Sequence, residues 1–339
     1  MRAGDAGRGA GGDARLRDLD EARLLARLLP VLPVRALLGP GDDAAVVAAP
    51  DGRVVATTDT LVEGLDFRRG WSTGADVGWK AVAQNVADVA AMGATCTGLL
   101  IALGLPGDLP VAWVDDFAAG VAAACAALGA VVVGGDLSGA SEVVVAVTAL
   151  GDLGGRAPVL RSGARPGDVV ALAGGAPGRS AAGLDLLRAG RGGEGGDDGA
   201  VAELLTAHRR PVPPVQLGPA AARAGASALM DVSDGLLRDA GRIAAASGAA
   251  LELHLAGTAL GGSAAALAAA TGVGAPAALA WVLTGGEDHG LLACFPPGAR
   301  APEGFHPVGR VLAPGQHPVL VDGAPWAGAG AGWDHFDGR

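Results

Sequence analysis

Short acidic motifs are the parts of this chain best suited to chemistry. Five stand out: Asp42 and Asp43 after Gly41; Thr57, Thr58 and Asp59 in TTDT; Asp88 within an Ala/Val-rich run; Gly135 and Asp136 in GGD; and Asp231, Ser233 and Asp234 in DVSDG. Four of the five adjoin apolar, strand-like runs. That placement predicts carboxylates gathered in turns at a sheet edge, where ligands bind. Hard cations such as Mg2+ take oxygen ligands, commonly one or two carboxylates together with substrate phosphates. Several such motifs meeting would form a multi-metal phosphate site. Taken singly, each has a plainer reading, because Asp bonds readily to local backbone in turns. Ser233 or Asp234 could N-cap a helix expected from residue 236, and a helix N-terminus also attracts phosphate.

Lys80, the chain's single lysine, falls in line with Gln84 and Asp88 at i, i+4 and i+8, and Asn85 lies beside that line. One helix face therefore carries a polar stripe, either solvated or part of a site. Residues 173–180 (AGGAPGRS) stand between a strand and a helix and approach the phosphate-binding pattern G-x-x-x-x-G-K-[ST]. Ala173 replaces its first Gly and Arg179 its Lys, although the turn could still cradle an anion through backbone N–H groups. Residues 283–288 (LTGGED) form a further acidic turn. Arg161 and Arg165 read as a basic patch suited to phosphate, or as linker charge. His208, His254, His306, His317 and His335 lack metal spacing and read as ordinary surface or core histidines.

The elements that must position these groups alternate. Helices are expected at residues 19–29, 75–92, 111–128, from 180, and at 201–208, 217–224 and 236–247. Strands are expected at 44–49, 54–62, 99–105, 131–133, 143–150, 168–173, 228–231, 250–255, 291–295 and 308–312. Residues 134–136 read as a turn. Residues 255–286 carry no charge until Glu287 but are broken by Gly and Pro, which fits two short buried helices better than a membrane span. The expected organisation is a tail at 1–18, an N-terminal domain at 19–153 and a C-terminal domain at 154–339, with a Gly-rich surface loop at 190–199.

The bulk composition excludes several classes. The chain has 339 residues, half of them apolar, and a net charge of −10, with no basic stripe for nucleic acid. An acidic chain that handles phosphates needs cations to offset repulsion. Its three scattered cysteines, Cys96, Cys125 and Cys294, fit neither a zinc site nor a disulfide framework and suit a reducing cytoplasm. The N-terminus lacks the apolar core of a signal peptide.

In order along the chain, these motifs resemble those of the thiamine-monophosphate kinases. The matching stretches are residues 39–45 (GPGDDAA), 57–64 (TTDTLVEG), 80–94 (KAVAQNVADVAAMGA), 133–137 (VGGDL), 161–168 (RSGARPGD), 230–237 (MDVSDGLL), 285–288 (GGED) and 332–336 (GWDHF). The resemblance implies a two-domain α/β fold of the aminoimidazole-ribonucleotide-synthetase type, with mixed sheets packed against helices, usually as a homodimer. It implies transfer of the ATP γ-phosphate to thiamine monophosphate, with no membrane or nucleic-acid partner. By match, Asp42, Thr57, Thr58, Asp59, Asp88, Asp136, Asp231 and Asp234 would bind several Mg2+ ions. Gly135, Asp136, Arg161 and Ser233 would touch ATP, while Glu287 and Trp333 would hold the thiamine end, Trp333 by stacking. The chain departs from the family where a substrate-contacting His is replaced by Asp66, near Arg68, and where GGEDYEL reads GGEDHGL at residues 285–291. Other enzymes of the superfamily, and a non-catalytic nucleotide- or thiamine-diphosphate-binding protein, are the alternatives. A selenophosphate synthetase would carry a reactive N-terminal Cys, and this chain has none before Cys96.

Overall fold

Two mixed β-sheets frame the molecule, and one helix lies against an edge of each. The computed structural model describes residues 15–19, 21–33, 47–191, 199–328 and 330–333. The Asp42–Asp43 motif, most of the N-terminal tail and the loop at 192–198 lie outside the described residues.

The first sheet contains β1 (Val55–Val62), β2 (Thr95–Leu105), β3 (Val132–Gly139) and β4 (Val144–Asp152), in the order β1-β4-β2-β3. The second contains β5 (Val169–Ala173), β6 (Ala228–Val232), β7 (Ala250–Leu253), β8 (Gly290–Phe295), β9 (Phe305–Leu312) and β10 (Val319–Val321), in the order β10-β7-β9-β5-β8-β6. The chain passes from one sheet to the other between Asp152 and Val169. β1 and β6, which carry acidic motifs, are both edge strands.

The helices are α1 (Glu21–Leu28), α2 (Gly74–Ala91), α3 (Val111–Leu128), α4 (Arg179–Arg188), α5 (Gly199–Arg209), α6 (Leu217–Arg223), α7 (Leu236–Ser247), α8 (Ala259–Thr271) and α9 (Ala275–Thr284). The uncharged run at 255–286 is the pair α8 and α9, divided by a left-handed Gly272. Among the described residues the helix long and apolar enough to cross a membrane is instead α3, half buried and packed against α2. Glycines let these two helices touch backbone to backbone. A Cβ at Gly78 would strike the Phe117 carbonyl oxygen, and one at Gly120 the Ala75 carbonyl oxygen. A third core cluster ties α2 to the second sheet, where its Ala90 and Ala91 meet Leu229, Leu291 and Phe295.

Some sequence expectations are corrected. The expected turn at 134–136 is mid-strand: β3 runs through Gly135 and Asp136, paired in parallel with β2. Glycine is needed there because a Cβ at Gly135 would meet the Ile101 carbonyl oxygen. Thr57, Thr58 and Asp59 likewise sit inside β1 rather than at its end. Of the strand expected at 44–49, residues 47–49 are not strand, and the remainder lies outside the described residues. β10 was not expected, being too short to show alternation.

Candidate active site

α2 explains why the acidic motifs of two distant strands can meet. Its start is fixed by a capping box: the Thr73 hydroxyl accepts from the Asp76 N–H at 3.2 Å, and the Asp76 carboxylate accepts from the Thr73 N–H at 2.9 Å. From there it packs against both β1 and β6. Its polar stripe is not a solvated face. Lys80, Gln84 and Asn85 are all buried, and Asn85 is fully so. The Asn85 side chain donates to Ala81 O at 2.9 Å and accepts from the Asp59 N–H at 3.2 Å, pinning β1 to the helix. The Thr57 hydroxyl donates to Asp88 at 2.8 Å.

Asp59 and Asp88 thus stand in the field of Asp231, and the crowding raises the pKa of both. Burial first, and then the charges of Asp231 and Asp59, push the Asp88 carboxyl up to about 7. Asp59 is also raised, by burial, with Asp231, Asp234 and Asp66 adding to the effect and His289 opposing it. His289 is buried, sits at φ 51° and reaches Asp231 at 3.5 Å through Nδ1. Burial favours its neutral form, but Asp231 and the other carboxylates outweigh this and raise its pKa.

The DVSDG loop is tied down from several sides. Asp239, fully buried on α7, accepts from the Ser233 and Asp234 N–H groups, each at 3.0 Å. The expected N-cap is therefore inverted: neither Ser233 nor Asp234 caps α7 by its side chain, and a carboxylate inside the helix reaches back to them. Those N–H groups are occupied, so the Ser233 hydroxyl is the atom it can offer a ligand. Asp234 pairs with Arg242 at 2.6 Å. Glu287 N–H donates to Ser233 O, and Trp333 N–H to Asp234 O, both at 2.7 Å. The two residues expected at the acceptor therefore bracket one loop, and Trp333 is 41 % exposed.

Other expected residues do not join this group within one chain. Strand alternation turns Thr58 to the opposite sheet face, where its hydroxyl donates to Val147 O at 3.0 Å. The register carries Thr60 across Ala146 and Ala102 to Asp136, so Asp136 shares the face of Thr58 and stands on the far edge strand. Gly135 and Arg161 are exposed, Arg161 on a short 3-10 turn packed against α7. One Asp66 carboxylate oxygen accepts from the Val62 N–H at 2.8 Å, closing the turn after β1. Arg68 lies over the Trp71 ring at 4.5 Å. The P-loop-like turn holds an internal anion: Asp288 accepts from the Gly178 N–H at 2.5 Å and the Ser180 N–H at 2.9 Å. A cavity of about 390 Å3 opens beside it, lined by Arg179, Glu203, Arg210 and Asp288 among others.

The donor set suits a hard cation. Among the described residues no three His, Cys, Asp or Glu side chains form a ready-made metal cage. Mg2+ does not require one, since it commonly binds one or two carboxylates plus phosphates and water. The crowding that raises Asp59 and Asp88 is relieved by such an ion.

Comparison with known proteins decides the family. Residues 41–153 match the N-terminal domain of AIR synthase related proteins. A thiamine-monophosphate kinase of Mycobacterium tuberculosis is 48 % identical over 323 residues, covering 95 % of this chain and 93 % of the relative. The chain belongs to the thiamine-monophosphate kinase family. Its Corynebacterium glutamicum relative is 42 % identical over 63 % of this chain and 64 % of its own length. The solved structure of AaThiL complexed with AMPPCP and TMP superposes with a TM-score of 0.74 at 33 % identity, covering 95 % of this chain and 99 % of the other. A hydrogenase maturation protein complexed with ATP aligns with a TM-score of 0.69 at 18 % identity, which shows the shared fold alone.

Within this thiamine-monophosphate kinase fold, several residues escaped the sequence reading. His208 is not an ordinary core histidine, because its Nδ1 lies 3.2 Å from Glu287. Lys80 reaches both Glu287 oxygens at 3.1 Å. Asp239 and Arg242 bond to the Ser233–Asp234 loop, and Asp288 to the turn before α4. The isolated polarity of Lys80 in a lysine-poor chain was the one available signal.

Proposed function

We infer that this chain transfers the γ-phosphate of ATP to thiamine monophosphate, giving thiamine diphosphate. The observation that carries this is the meeting of Asp59, Asp88 and Asp231 between the two sheets, beside Glu287 and Trp333. The acceptor is a phosphate monoester whose second pKa is about 6, so it is largely dianionic near pH 7 and needs no strong base. The difficulty is bringing two polyanions together: unit charges 4 Å apart repel by about 4 kcal/mol at an effective dielectric of 20. Bound Mg2+ would supply charge neutralisation and orientation for the two phosphates. Asp59, Asp88 and Asp231 would hold it, with Asp42, Asp234 and Thr57 as further candidates. His289 would orient Asp231, and Arg161 and the Ser233 hydroxyl would contact ATP. Glu287 and the Trp333 face would bind the thiamine end.

The assembly we propose is a cytoplasmic homodimer. Residues 19–153 would form the ATP, metal and dimerisation domain, and residues 154–339 would complete the site. Thr58 and Asp136 lie on one exposed sheet face at opposite edges, with Leu100 between them 38 % exposed. Two copies set face to face would bring these residues to a common place.

The test is formation of ADP and thiamine diphosphate from ATP and thiamine monophosphate, with and without Mg2+. Equal amounts of both products, dependent on Mg2+, are expected. Folded, ATP-binding protein that yields neither would refute the assignment.

A further inference from the structure

We propose that Lys80 is a positioning residue for the acceptor, clamping the Glu287 carboxylate in the orientation that the thiamine end meets. This rests on the reading of Glu287 as an acceptor contact. The Lys80 side chain is only 3 % exposed, and its ammonium meets both Glu287 oxygens at 3.1 Å. Burying a lone ammonium is costly, so its placement commits it to that carboxylate.

Glu287 is held from other directions as well. Its backbone sits at φ 64°, a conformation few non-glycine residues adopt, and its N–H donates to Ser233 O at 2.7 Å. His208 lies 3.2 Å from Oε2 and is held neutral, its pKa pushed down to about 4 by burial and by Lys80. The Ser180 hydroxyl, 3.1 Å from His208 Nδ1, fixes the ring. Glu287 nevertheless keeps 33 % side-chain exposure, leaving one face open to a ligand.

A purely architectural role would be redundant. α2 is already tied across to the segment after α5 by Arg210 to Asp76 at 2.5 Å and by Trp79 Nε1 to Pro211 O at 2.7 Å. The clamp also has a chemical use. With Lys80 paired, Glu287 offers a directional acceptor without presenting an unbalanced negative charge beside a phosphorylated ligand. Because Lys80 and Asp88 share one rigid helix two turns apart, the acceptor wall and the metal-binding carboxylates keep a set spacing.

The experiment measures binding of thiamine monophosphate and, separately, AMPPCP to the full chain by calorimetry, for wild type, Lys80→Met, Glu287→Gln and the double variant. Lys80→Met is expected to weaken acceptor binding by about tenfold or more, the scale of a broken buried charge pair, with AMPPCP affinity within about twofold. In the Glu287→Gln background the same change should add nothing, since Lys80 acts through Glu287. Lys80→Arg should recover part of the affinity, because it restores the charge with different donor geometry. Should Lys80→Met not fold, Lys80→Gln, which keeps one donor, carries the comparison with the same expectation. Unchanged acceptor affinity in a variant with lowered thermal stability would overturn the clamp, as would losses that add in the double variant. Equal acceptor binding by wild type and Glu287→Gln would overturn the reading of Glu287 itself.

Discussion

At the residue scale, the proposed chemistry rests on crowded carboxylates, of which Asp59 and Asp88 are costly to ionise where they stand. Asp88 is pushed up to about 7 by burial, Asp231 and Asp59. Asp88→Asn and Asp231→Asn should each cut turnover by about two to three orders of magnitude, the range for losing one preorganised electrostatic partner. Thermal denaturation of metal-free Asp88→Asn should show no loss of stability, because the amide removes a charge that the fold disfavours. Near-wild-type ADP release from either variant would disprove the metal assignment. His208 makes a separate prediction. Its folded pKa is about 4 against about 6.5 unfolded, so between these values the unfolded chain binds a proton that the folded one does not. Stability present above about pH 6.5 is therefore lost as pH falls toward about 4, by up to about 3 kcal/mol from this group. Urea unfolding across that range should show His208→Gln losing less on acidification than wild type; parallel curves would sink the argument.

At the element scale, α2 is the part on which the site depends. It carries Lys80, Asn85 and Asp88, and its place is set by glycine contacts with α3 rather than by large side chains. Gly78→Val and Gly120→Val should each destabilise by about 1–3 kcal/mol or more through overpacking, read as a lowered denaturation midpoint. Activity should fail at lower temperature in the same variants, because any shift of α2 moves Asp88 away from β1. Tolerance of valine at both positions would contradict the close helix crossing. The acidic loop after β6 shows the same economy of means: Asp239 satisfies two N–H groups of the loop, and Arg242 bridges Asp239 and Asp234.

At the scale of the whole molecule, the exposed face of the first sheet is where a second copy is expected. Leu100→Arg should yield a monomer by light scattering, with ATP turnover falling in parallel, since Thr58 and Asp136 would no longer meet. A fully active monomeric variant would show that one chain suffices. Two regions of the chain bind their anions internally, at Asp239 and Asp288, so the backbone N–H groups there are spoken for in the folded protein.

How much of this was legible beforehand follows from range. The order of acidic motifs, the helix and strand alternation around them, and the family they resemble are local or linear properties, and they could be read residue by residue. The polarity of Lys80 and Gln84 was visible, but its burial was not, because helical spacing fixes which side chains share a face without saying what covers it. Thr57 and Thr58 must face opposite sides of a strand, but which of those sides α2 covers is decided only by packing. Asp288 filling the turn after β5, and Glu287 meeting Lys80 and His208, join segments far apart in sequence. Such contacts depend on how two sheets share one helix, and packing geometry, rather than composition or motif, decides them.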